Sequence, residues 1–184
     1  MSELAWHYTT GENFISIVES NVLLPAVIRL KEEQAPVLWF SQNQVWEPTA
    51  CKGISKDGII HTGTRHETRE YGGGLVRFGY PKDRLLSWKK LRSAANICYR
   101  SRCLLESAGH MMGGNPNHWM GILHPLPVNQ LVLEVLDGEW TWVPIRNDAY
   151  SLPHLVVGPV ATKQASEQDC WGGFGDPLLG GAAA

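Results

Sequence analysis

Short apolar runs broken by turn residues dominate the chain, and few stretches hold a helical period for long. Leu4-Ala5-Trp6-His7-Tyr8 is the first such run and predicts a strand. Thr9, with Glu12 three residues on, reads as a capping box. Phe14, Ile17 and Val18 follow at helical spacing, so a helix over about residues 11–19 should lay one face on the sheet. Asn21 suits the left-handed position that ends it. After a polar loop at residues 31–35, Val37-Leu38-Trp39-Phe40-Ser41 is continuously apolar up to its serine, the pattern of a strand buried on both faces. Pro48 fits the first turn of a short helix. Residues 53–70 are polar and read as a loop or an exposed hairpin. Gly72-Gly73-Gly74 then punctuates before a third strand over residues 75–80, where Arg77 points away from the side of Val76 and Phe78.

Residues 83–107 form the second helical region, with Leu85, Trp88, Leu91, Ala95, Cys98 and Leu105 near helical spacing. Arg84, Lys89, Lys90, Arg92, Arg100 and Arg102 surround them, six of the sixteen basic residues. They make either a solvated face or a docking surface for an acidic partner such as nucleic acid. Residues 109–117 are a Gly/Asn/Pro loop, and residues 118–123 and 130–136 are two further strands. Asp137-Gly138 marks a hairpin that returns through residues 139–144. Beyond Asp148 the composition is loop-like, and residues 178–184 read as a flexible tail behind a single domain over residues 1–177. The mixture of elements places the fold in the α+β class.

Composition narrows the function. The hydrophobic share of 43% is enough for a packed core. A net charge of −2 disfavours a simple duplex-DNA binder, which needs a basic surplus. No apolar run has the length of a membrane span, and the opening residues lack a basic region followed by an apolar stretch. The expectation is a cytoplasmic protein without membrane partners, its four cysteines reduced. No phosphate-binding glycine loop, dinucleotide fingerprint, nucleophile elbow or paired zinc spacing occurs. A metal centre built from His61, His66 and a cysteine has little support in spacing, so none is expected.

Placement is more informative than any motif alone. His7-Tyr8-Thr9 closes the first strand directly before the helix Glu12-Asn13-Phe14-Ile15-Ser16-Ile17-Val18-Glu19-Ser20, and Leu38-Trp39-Phe40-Ser41 supplies an aromatic-serine second strand. Over residues 4–51 the chain resembles the ADP-ribosyltransferase-like fold, in particular the toxin type of the DarT group, whose members modify DNA bases. The resemblance implies two small, mostly antiparallel sheets facing each other across a cleft for NAD, with a few flanking helices. It implies transfer of ADP-ribose from NAD to a nucleic-acid base or a protein target, and an antitoxin or inhibitor as partner. Carried onto this sequence, His7 would bond a ribose hydroxyl, the backbone near Tyr8 and Thr9 would grip the nicotinamide amide, and Ser41 would support the ribose. Tyr71 would stack on the nicotinamide.

The family also places a glutamate at the start of a late strand, and here the chain departs from it. The expected position falls near His118, and no acid lies between Ala108 and Leu133. His118, Glu134 and Glu47 are the candidates for the catalytic role. Each has a plainer reading: Glu134 as the solvent face of an apolar strand, Glu47 as a helix-terminus acid. Arg77 would either meet a pyrophosphate with both arms of its guanidinium or pair with a carboxylate. The alternative to a transferase is a module that keeps the cleft, binds NAD or another ligand, and catalyses nothing.

Overall fold

The computed structural model describes residues 3–26, 34–56 and 58–145. The expected tail and the loop-like stretch after Asp148 lie outside them, as does most of the 31–35 loop. Among the described residues, eleven strands and four α-helices follow in the order β1 (Leu4–Thr10), α1 (Gly11–Ser20), β2 (Val22–Leu23), β3 (Leu38–Ser41), β4 (Gly53–Lys56), β5 (Ile59–Thr62), α2 (Arg65–Tyr71), β6 (Leu75–Pro81), β7 (Leu86–Ser87), α3 (Trp88–Ala94), α4 (Tyr99–Met111), β8 (Trp119–Ile122), β9 (Leu126–Pro127), β10 (Val132–Leu136) and β11 (Trp142–Ile145). This is an α+β arrangement. Seven strands form one antiparallel sheet in the order β11-β10-β6-β1-β3-β8-β7, and β2-β9 and β4-β5 form two small ribbons.

Alternation along the strands sorts side chains between two faces. On one face Ala5, Val76, Phe78, Tyr80, Leu38, Phe40, Met120, Ile122 and Leu133 make a continuous core. Helix α1 covers it, anchored by Phe14, which is fully enclosed and contributes about 2–3 kcal/mol by its burial. On the other face the packing divides in two. Trp6, Tyr8, Trp46, Leu75 and Leu136 cluster over β1, β6 and β10. Val37, Trp39, Trp88, Leu91, Ala95, Leu105 and Trp119 cluster over β3 and β8, beneath α3 and α4.

The division coincides with a weak join in the sheet. Strand β1 pairs with β6 through seven successive positions, from Leu4↔Pro81 to Thr10↔Leu75. It pairs with β3 at one position alone, Trp6↔Ser41. Beyond that point β1 and β3 no longer share a ladder, so the seven-stranded sheet carries a seam there.

Other expectations change in detail. The N-cap of α1 is Thr10, not Thr9, and its side chain makes no capping bond. The glycine run replaces the box: Gly11 N–H donates to the Gly74 carbonyl and Glu12 N–H to the Gly72 carbonyl, each at 3.1 Å. Asn21 ends the helix in the left-handed region, φ 54°, as expected. Strands β4 and β5 pair as the expected hairpin, but α2 follows in place of the expected loop. It carries its own capping box, Thr64 with Glu67. The region 83–107 is not one helix, because Asn96 at φ 53° closes the turn after α3, with Ile97 N–H returning to the Arg92 carbonyl at 2.8 Å. The β10-β11 hairpin forms, yet Leu136 pairs with Trp142, so residues 137–141 make the turn and not Asp137-Gly138 alone.

Candidate functional site at the β1-β3 seam

A small cavity of about 20 Å³, room for about one water molecule, lies at this seam, lined by Trp6, His7, Tyr8, Trp39, Phe40, Ser41, Glu47, Thr49, Ala50 and Trp119. Its geometry starts from the missing ladder. Where the next β1-β3 backbone bond would be, the His7 ring reaches across, with Nδ1 2.8 Å from the Trp39 carbonyl oxygen. A carbonyl can only accept, so Nδ1 carries the proton and Nε2 presents a lone pair. Burial pulls the His7 pKa down to about 4, more strongly than the Trp39 carbonyl raises it. At neutral pH the seam therefore holds an uncharged imidazole whose Nε2 is an acceptor.

Across the seam, Ser41 donates its hydroxyl to Glu47 Oε2 at 2.6 Å. Glu47 is 4% exposed. Its other oxygen, Oε1, accepts from Thr49 Oγ1 at 2.8 Å, Thr49 N–H at 3.3 Å and Trp119 Nε1 at 3.3 Å. Glu47 is thus the cap of a short helical turn, Pro48–Ala50, and also the hub of a buried network. Neutral donors alone meet this carboxylate among the contacts described, so its negative potential spreads into the pocket. The oriented Ser41 oxygen accepts in turn from Asn43 N–H at 3.1 Å. The loop holding these groups is fastened to β1 by Trp6 Nε1 on Gln44 Oε1 (2.7 Å) and Gln44 Nε2 on the Leu4 carbonyl (2.9 Å).

No family model, curated protein or solved structure matches this chain. What the seam can do is therefore argued from its own chemistry.

The structure gathers His7, Tyr8, Ser41 and Glu47 around one pocket. The Tyr8 hydroxyl donates to the Asn43 carbonyl, and burial pushes its pKa up to about 12 despite Arg77 nearby. The remaining candidates stand elsewhere. Thr9 is buried in β1 opposite Val76. Tyr71 is 60% exposed at the end of α2 and does not line the pocket. His118 is exposed in the turn before β8, although its carbonyl accepts from Gln42 N–H at 2.9 Å beside the seam. Arg77 and Glu134 lie in one row with Tyr8, through Tyr8↔Arg77 and Glu134↔Arg77, and form an ion pair with each other. Arg77 also donates to Glu134 from Nε at 2.7 Å, to the Gln44 carbonyl, and rests 3.8 Å from the Trp6 ring centre. Its guanidinium thus serves a carboxylate, a carbonyl and an indole. His61 and His66 face Glu67 and Glu70, and among the described residues no three His, Cys, Asp or Glu side chains gather as a metal site. No helix among the described residues is long and apolar enough to cross a membrane.

Two participants escaped the sequence reading. Thr49 was signalled by the Glu47-Pro48-Thr49 spacing, which lets a side chain cap the amide two residues on. Trp119 carried no local signal, because the Trp119↔Ser41 register exists only once β3 and β8 pair.

Proposed function

We propose that the seam binds NAD+ and that the protein transfers ADP-ribose from it to a macromolecular acceptor, with a nucleic-acid base as the first candidate. The observation that carries this reading is the neutral His7 ring standing where the β1-β3 ladder breaks, lining one pocket with Ser41 and its buried carboxylate partner Glu47. Cleaving the nicotinamide bond of NAD+ builds positive charge on the ribose, in an oxocarbenium-like transition state. A site for that reaction needs hydroxyl acceptors, water exclusion and a fixed negative potential. Nε2 of His7 supplies an acceptor for a ribose hydroxyl without adding a cation that would oppose the reaction. Ser41 supports the ribose side, the backbone at Tyr8 offers amide groups to the nicotinamide, and Glu47 supplies the potential while positioning Ser41. The two-sheet cleft and the DarT likeness over residues 4–51 belong to the same proposal.

A second reading, that the seam binds a ligand without cleaving it, is favoured by one observation. Each nearby carboxylate is already engaged, Glu134 by Arg77 and Glu47 by Ser41, Thr49 and Trp119. Nicotinamide release from NAD+ separates the two, measured beside His7→Ala. Release that the variant loses supports transfer, NAD+ binding with no release supports the second reading with NAD+ as its ligand, and absence of NAD+ binding contradicts the transferase.

A further inference from the structure

We infer that Arg65 and Arg69, with the indoles around them, form a receptor for a phosphate oxyanion on the α2 side of the sheet. The guanidinium carbon of Arg65 lies 5.3, 5.1 and 5.9 Å from the ring centres of Trp46, Trp140 and Trp142. That of Arg69 lies 4.8 Å from Trp140. Indole faces attract the cation but offer nothing to its in-plane N–H groups. Nε and Nη2 of Arg65 are enclosed, and neither has a hydrogen-bond partner among the described residues. Buried donors of an arginine held for packing alone normally find a partner, commonly a carboxylate taken by two parallel bonds.

The carboxylates around this cage are engaged elsewhere. Glu134 pairs with Arg77, Glu67 accepts from Thr64, and Asp137 Oδ1 accepts from the Glu139 and Thr141 N–H groups of its own turn. Arg69 spends one amino group on the Asp137 carbonyl at 3.0 Å. The cage is left with two unanswered donors among the described residues. Burial is the largest influence on the Arg65 pKa and lowers it; Tyr8 and Cys51 raise it, and Arg77 and Arg69 lower it further.

The turn that completes the cage is itself unusual. Trp140 sits at φ 61°, a backbone conformation rare for an aromatic residue. It brings the indole over both guanidiniums and against the His66 ring, whose centre is 5.7 Å away. Two arginines converging on one indole suit a multiply charged oxyanion better than a single carboxylate. That oxyanion comes either from a free nucleotide or from the backbone of a single strand. The inference does not rest on the NAD+ reading of the seam.

The test titrates the whole chain with inorganic pyrophosphate, ADP and a short single-stranded oligonucleotide, with acetate as control, following the arginine Nε–H resonances by NMR. Pyrophosphate should shift the Arg65 Nε–H signal, and Arg65→Gln should bind it about tenfold more weakly while Arg69→Gln weakens it less. ADP binding as tightly as the oligonucleotide assigns the site to free nucleotides, and much tighter oligonucleotide binding assigns it to a strand. An Arg65 signal that no phosphate arm moves, or moves no more than acetate does, overturns the inference. The wild-type resonance decides the matter even if Arg65→Gln does not fold. NAD+ cleavage is not read here, so failure of this site and failure of the seam are separate results.

Discussion

His7 is uncharged in the folded protein and its ordinary pKa of 6.5 lies well above the folded value of about 4. The unfolded chain therefore binds the proton first. This residue's contribution to stability is intact above pH 6.5, falls as the pH drops from there towards 4, and levels off below. The loss is on the order of 3 kcal/mol. In urea unfolding compared from pH 7 to 4, the stability of wild type relative to His7→Phe should fall by that order. Parallel curves would show that His7 is not held neutral. Glu47 makes the opposite kind of prediction. Glu47→Ala strands the Ser41 hydroxyl, both Thr49 donors and the Trp119 N–H in a buried space, and should cost about 2–4 kcal/mol in chemical denaturation. A change below 1 kcal/mol would mean that water reaches those donors freely.

At the scale of elements, the union of β1, the glycine run and α1 depends on one close approach. A Cβ on Gly11 would lie 2.2 Å from the Gly73 carbonyl oxygen, and that oxygen belongs to backbone already tied to the helix start. Gly11→Ala should therefore destabilise by about 1–3 kcal/mol or more, visible as a lower melting temperature, although alanine favours helices elsewhere. An unchanged or higher melting temperature would contradict this account of how α1 begins. The same junction shows what was legible in the sequence. The strand 4–8, the helix that follows and the Asn21 stop were readable because periodicity and a left-handed residue are local signals. The cap was misread because its acceptors, Gly72 and Gly74, lie some sixty residues away in the chain. Helix α2 was missed although Thr64 and Glu67 announced it, since its short polar sequence shows little apolar period. The 83–107 stretch was read as one helix because Trp88, Leu91, Ala95 and Leu105 all face the same cluster, a shared face that survives the break at Asn96.

On the scale of the whole molecule, the seam unites these features. One side of the sheet packs continuously, while the other divides into two aromatic clusters with a pocket between them. His7 and Ser41 were readable as candidates from their places at two strand ends. That they line one pocket at a broken ladder was not, because it follows from a register that no local pattern encodes. Glu134 and Arg77 show the reverse: each was singled out separately, and the β6-β10 pairing joined them into an ion pair. The measurement that tests the central claim most directly is nicotinamide release from NAD+ by the purified chain, alone and with single-stranded DNA, RNA or cell extract, beside His7→Ala. The account predicts release that an acceptor stimulates and that His7→Ala reduces at least about tenfold while its melting curve stays cooperative. Failure of NAD+ to bind, or release untouched by the loss of His7, would contradict it.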